Sequence, residues 1–127
     1  MKKKKRIICF DLDNVICFTN KKKIYKKSKP NSQAIKLINY LFKNNFKIII
    51  FTARGMSRFK GDIKKIKKNY LVLTRSQLQM WRVNYHKLIF GKPSFDIYID
   101  DKNLGFKKKT WINELRVLLK IHDKKKI

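Results

Sequence analysis

Four short runs of β-forming apolar residues, at 7–10, 46–51, 88–90 and 95–99, alternate along the chain with segments whose apolar side chains recur at steps of three and four. A strand apolar on consecutive positions has no polar face, so it suits a sheet covered on both sides. Strands separated by helices run parallel and connect by right-handed crossovers. The pattern therefore predicts an α/β fold: a central parallel sheet between helical layers, a Rossmann-like three-layer sandwich. One helix is expected to open at Pro30 and carry Ala34, Ile35, Leu37, Ile38, Leu41 and Phe42. A second covers about 57–69 with Ile63 and Ile66 inward, and a third starts from an N-cap at Thr74 and carries Leu78, Trp81 and Val83. Residues 71–73 read either as a short strand or as a loop, and 111–121 read as a terminal amphipathic helix. Between Asp13 and Pro30, two apolar patches flank Asn20-Lys21-Lys22-Lys23, the pattern of a small hairpin or flap.

At 127 residues the chain has the size of one domain, and a single domain over 1–127 is expected, with 1–5 and 122–127 as basic solvated tails. An apolar content of 43% and an aromatic content of 13% exclude a disordered chain, although 33% of the residues are charged. The net charge is +26, from 34 Lys and Arg against 8 Asp and Glu. Such a field attracts nucleic acid, phosphorylated substrates or anionic membranes. A compositional origin competes with that reading. Only six of the basic residues are Arg, and the 28 Lys accompany 17 Ile and 10 Asn, as in an A- and T-rich coding sequence. Arg would be preferred for bidentate phosphate recognition, and its scarcity favours the compositional origin.

The two cysteines, Cys9 and Cys17, do not make a disulfide framework and suit a reducing cytoplasm; Cys9, inside an apolar run, reads as a small core residue. The basic start is followed by only four apolar residues, too few for a signal peptide, and no stretch approaches the roughly 20 apolar residues of a membrane span. A soluble cytoplasmic protein is expected.

Four of the eight acids stand directly behind the predicted strands: Asp11 and Asp13 behind the first, Asp100 and Asp101 behind the last. Thr52 follows the second run and Lys92 the third. In an open α/β sheet, ligands bind beyond the carboxyl ends of the strands. The topology would thus gather carboxylates, a hydroxyl and an ammonium along one edge. Clustered carboxylates repel one another unless a cation sits among them, and hard oxygens without His or Cys favour Mg²⁺.

This order of motifs resembles the haloacid dehalogenase-like phosphohydrolases: Phe10-Asp11-Leu12-Asp13-Asn14-Val15, Ile50-Phe51-Thr52-Ala53-Arg54-Gly55, Gly91-Lys92-Pro93 and Ile97-Tyr98-Ile99-Asp100-Asp101-Lys102. Through Gln77-Leu78, Trp81 and Tyr85-His86 it is also similar to small phosphatases of bacterial capsule and surface-polysaccharide biosynthesis, over about residues 6–105. Val15 occupies a place where Thr is common in that family.

The resemblance implies a mechanism. Asp11 is the nucleophile that forms an aspartyl-phosphate. Asp13 protonates the leaving oxygen and then takes a proton from water. Mg²⁺ is held by Asp11, the main-chain carbonyl of Asp13, and Asp100 with or without Asp101, which could instead cap the next turn. Thr52 hydrogen-bonds a phosphoryl oxygen, and Lys92 balances the charge of a loosening transition state. Arg54 is a candidate substrate contact, or equally a surface ion pair. His86 could face the site mouth but reads rather as a packing residue; Trp81, Tyr85 and Trp111 read as core or interface residues, and Asp96 and Glu114 as ordinary surface acids.

The 38 residues between Asp13 and Thr52, and the 39 between Thr52 and Lys92, leave room for a flap but not for a cap domain. An open site, or one covered by a second copy in a homo-oligomer, is expected. The first functional expectation is a Mg²⁺-dependent phosphomonoesterase acting on a sugar phosphate or a related surface-polysaccharide precursor. The alternatives are a nucleic-acid end (3′-phosphate) phosphatase and a non-catalytic basic nucleic-acid-binding module. No Arg stripe interleaved with aromatics supports either of these.

Overall fold

A computed structural model describes residues 4–121, which form two compact units divided in sequence between Ser94 and Phe95. In chain order the elements are β1 (Ile7–Phe10), β2 (Cys17–Phe18), a 3₁₀ turn (Tyr25–Lys27), β3 (Lys29–Pro30), α1 (Ser32–Lys43), β4 (Lys47–Thr52), α2 (Ile63–Met80), β5 (Lys87–Phe90) and α3 (Trp111–Leu118). The fold is α/β.

In the first unit, β1, β4 and β5 form a parallel sheet in the order β1-β4-β5. The register sets Ile8 beside Ile48, Phe10 beside Ile50, Ile50 beside Leu88 and Thr52 beside Phe90. One face of the sheet is sealed. Ile48 and Ile50 pack with Ile35 and Ile38 of α1, Leu78 of α2, and Leu12, Ile16 and Cys17 from the loop behind β1. The other face carries Ile7, Cys9 and Ile89, all exposed. The apolar runs therefore alternate in burial rather than being covered on both sides. Cys9 is not the core residue its neighbours suggested, because it lies on that open face.

The flap is present: β2 and β3 pair antiparallel, Cys17 opposite Pro30 and Phe18 opposite Lys29. Pro30 belongs to this ribbon and does not open α1. Asn31 caps that helix, its side chain accepting from the Ala34 N–H.

The two helices expected between residues 57 and 83 are one. Residues 54–61 form turns, and α2 then runs unbroken across 71–73, capped by Asp62, whose carboxylate accepts from the Lys65 N–H. No Gly or Pro interrupts the chain from Ile63 to Phe90, so nothing stops the helix at 69. Thr74 is a fully buried residue in the helix interior rather than an N-cap. Ile66 faces inward as expected, whereas Ile63, in the first turn, is exposed.

In the second unit the run at 95–99 is not a strand: its β-forming residues lie in irregular backbone outside the three-stranded sheet. Phe95 and Tyr98 stack at 5.0 Å, turns follow through Phe106, and α3 ends at Leu118. A cavity of about 210 Å³ in this unit is lined by Ile97, Tyr98, Phe106, Trp111, Leu115 and Leu118 among others. The tails expected at 1–5 and 122–127 lie largely outside the described residues.

Candidate active site

The candidate site is assembled at the carboxyl end of the parallel strands of the first unit. β1 ends at Phe10, and the chain folds into a tight loop in which the N–H groups of Val15, Ile16 and Cys17 all donate to the Leu12 carbonyl. Asn14 takes the left-handed conformation (φ +64°), which Asn tolerates better than most residues, and its side chain accepts from the Thr19 N–H. This loop presents Asp11 and Asp13 to one cavity of about 220 Å³, which Thr19, Lys21, Lys23, Tyr25 and Arg54 also line.

Asp11 is about one-third exposed. Its Oδ1 accepts from the Leu12 N–H at 2.7 Å, and its Oδ2 meets Lys92 Nζ at 3.2 Å. Lys92 is delivered from the next strand but one. Gly91, at φ +104°, turns the chain out of β5, and the Lys92 N–H donates to the Thr52 carbonyl at 3.1 Å. Thr52, at the end of β4, is fully buried, and its hydroxyl accepts from the Arg54 N–H at 3.1 Å.

Asp13 is held by a buried guanidinium. Arg54 Nε donates to both carboxylate oxygens, at 3.3 and 3.0 Å, and Nη2 donates to Oδ1 at 3.0 Å. The remaining nitrogen, Nη1, donates to Thr74 Oγ1 at 3.0 Å and Gln77 Oε1 at 2.6 Å. The Tyr25 ring lies 4.7 Å from the guanidinium carbon, a cation–π contact. Arg54 is 1% exposed, so it is not at the surface, and its donors are spent on protein groups. It holds Asp13 in place at the cavity that both residues line. The Thr19 hydroxyl donates to Asp13 Oδ1 and shares a 2.7 Å hydrogen bond with the Ser28 hydroxyl across the flap.

Burial pushes the Cys17 thiol above its ordinary range, with the Asp13 charge adding to the effect while Thr19 and Arg54 oppose it. Burial likewise raises Tyr25, whose hydroxyl accepts from the Gly55 N–H. Both groups stay protonated and structural at neutral pH. His86 also packs: its Nδ1 accepts from the Ile48 N–H at 2.9 Å, and its ring stacks on Phe42 at 4.5 Å.

Sequence reasoning thus placed Asp11, Asp13, Arg54 and Lys92 around one site but missed Thr19, Tyr25, Thr74 and Gln77. Asp100 and Asp101 belong to the second unit. There Asp100 accepts from the Lys102 N–H and the Tyr98 hydroxyl, and these hydrogen bonds, the backbone one first, hold its carboxyl below the usual range. Among the described residues, no three His, Cys, Asp or Glu side chains group as a metal site. The carboxylates at the first-unit site offer oxygen donors only, the chemistry that suits a hard divalent ion. Asp13 is engaged by the Arg54 guanidinium, and Asp11 by Lys92 and the Leu12 N–H.

No helix among the described residues is long and apolar enough to cross a membrane. Comparison with protein-family models returns no match, and neither does comparison with curated proteins. Solved structures do match. A crystal structure of a target protein from Vibrio cholerae aligns with a TM-score of 0.72 at 24% identity, over 90% of this chain and 98% of that one. Two structures of the Pnkp1/Rnl/Hen1 RNA repair complex align with TM-scores of 0.50 and 0.52, at 19% and 18% identity. Each alignment covers 94% of this chain but only 33% and 36% of the other, so the chain spans about a third of their length. At these identities the likeness shows a shared fold.

Proposed function

We propose that this protein is a Mg²⁺-dependent phosphomonoesterase of the capless, haloacid dehalogenase-like kind, working through an aspartyl-phosphate on Asp11. The observation that carries this reading is the convergence of Asp11, Asp13 and Lys92 at the strand ends, with Lys92 Nζ 3.2 Å from the Asp11 carboxylate. A carboxylate is already ionised at neutral pH and needs no base to attack phosphorus. In the first step an Asp11 oxygen bonds to phosphorus and the ester oxygen leaves with a proton from Asp13. In the second, water gives its proton to Asp13 and its oxygen to phosphorus, the acyl phosphate bond breaks, and inorganic phosphate leaves.

Lys92 offsets the negative charge on the transferring group, and the resemblance assigns Thr52 to a phosphoryl oxygen. Arg54 keeps Asp13 in place. Asp11 and the Asp13 carbonyl, both in the first unit, would hold Mg²⁺. When bound, the ion lowers the repulsion between the nucleophile and an anionic substrate.

A sugar phosphate or related surface-polysaccharide precursor is the substrate class that the motif resemblance supports. One further observation favours a second reading, the phosphorylated end of a nucleic acid: an RNA repair complex shares the fold, and the charge of +26 suits such a substrate. The test is phosphate release from an aryl phosphate by the purified protein. Activity should require Mg²⁺, vanish with a chelator and fall to background in Asp11→Asn. Full activity in that variant would overturn the assignment of the nucleophile. Relative kcat/KM on sugar phosphates and 3′-phosphorylated oligonucleotides would then choose the substrate class.

A further inference from the structure

The cavity that holds Asp11 and Asp13 has a basic rim. Lys21 and Lys23, from the flap between β2 and β3, line it alongside the two acids. The flap carries six lysines, at positions 21, 22, 23, 26, 27 and 29, and the sequence contains no acid from Asn14 to Gly61. None of the six is in an ion pair among the described residues. The two acids of the cavity are paired with Lys92 and Arg54, so the flap lysines repel one another, and a bound anion relieves that repulsion.

The rim is also fixed. On one side of Lys21-Lys22-Lys23, the Thr19 hydroxyl binds Asp13 and Ser28. On the other, Tyr25 is buried under Arg54, its carbonyl accepting from Gln77 Nε2 at 2.6 Å and its hydroxyl from the Gly55 N–H at 3.4 Å. Between these anchors the Lys23 N–H closes a turn onto the Asn20 carbonyl at 3.0 Å. The lysine stems are flexible, but their backbone origin is held beside the reacting carboxylates, which lowers the cost of using them.

We infer that Lys21 and Lys23 form a second anion subsite, so that the preferred substrate carries another phosphate next to the one that faces Asp11. The inference rests on the phosphatase reading of that cavity and narrows its substrate class. The neighbouring phosphate could belong to a phosphodiester at a nucleic-acid end or to a sugar bisphosphate.

Equilibrium binding without divalent cations, and so without turnover, tests it. The full chain is titrated with thymidine 3′-phosphate, with the 3′-phosphorylated thymidine dinucleotide, with glucose 1-phosphate and with glucose 1,6-bisphosphate. At low salt, at least one two-phosphate ligand should bind roughly five- to tenfold more tightly than its one-phosphate partner, about the worth of two exposed ion pairs. Which pair shows the gain identifies the source of the phosphate. Lys21→Ala/Lys23→Ala should remove the gain, and Lys26→Ala/Lys27→Ala, on the same flap but outside the cavity lining, should keep it. Equal affinities within both pairs, or a gain that survives in Lys21→Ala/Lys23→Ala, would overturn the proposal. Because the readout is binding, a failed phosphatase assay alongside an intact gain would sink the catalytic reading alone.

Discussion

Arg54 is the residue on which the candidate site turns. Its side chain is fully buried while that of its partner Asp13 is 20% exposed, so the guanidinium contributes most of the desolvation that the pair incurs. Five donors in a rigid fork match the acceptors around it, from Asp13, Thr74 and Gln77. A lysine has one nitrogen and cannot serve them together. Arg54→Lys should therefore lower stability by about 3 kcal/mol, because it strands buried acceptors as well as weakening the pair. Urea unfolding checks this: an unchanged midpoint would mean that the network contributes nothing. The motif made Asp11, Asp13 and Lys92 legible in the sequence. Arg54 read equally as a substrate contact or a surface ion pair, and its burial was not legible. The signal that could have corrected this was on α2, where Thr74 and Gln77 share the inward stripe of Ile66 and Leu78. Polar residues on an apolar stripe need a buried partner.

At the scale of elements, β1, β4, β5 and the body of α1 could be read from periodicity because their apolar patterns are strong. The middle of the chain could not. In α2 the basic residues at 64, 65, 67 and 68 dilute the apolar signal, and a Thr before a polar segment resembles a cap. The absence of Gly and Pro was the better guide. The turns that feed α2 depend on Gly55, at φ +79°, packed against Tyr70. A Cβ there would lie 2.9 Å from two ring carbons of Tyr70 and 3.1 Å from an Ile66 side-chain carbon. Gly55→Ala combines a strained backbone with overpacking and should cost about 2–3 kcal/mol. Tyr70 also meets Tyr25 edge-on at 5.0 Å, so the substitution presses on the flap anchor beside Arg54. Thermal unfolding and the aryl phosphate assay should both register it, and a variant as stable as the parent would show that the ring yields freely.

For the whole molecule, the α/β class followed from the alternation of strand and helix patterns, which local sequence carries. Which strand lies at an edge, and which sheet face is covered, is set by long-range pairing, and that is why Cys9 and residues 95–99 were misread. Charge acts at the same scale. Only three ion pairs form among the described residues, and two of them lie at the candidate site. Most of the lysines therefore interact with one another, unfavourably, across an exposed surface. Raising NaCl from 0.1 to 1 M shortens the Debye length from about 10 to about 3 Å and screens this repulsion. The Asp13–Arg54 pair is buried and is screened much less. Salt should thus stabilise the fold by about 1 kcal/mol, raising Tm by roughly 4 °C in a circular-dichroism melt. A Tm that fell with salt would mean that attractive surface pairs outweigh the lysine field, and the lysines of the flap would then lack the unmet charge that a second phosphate is proposed to neutralise.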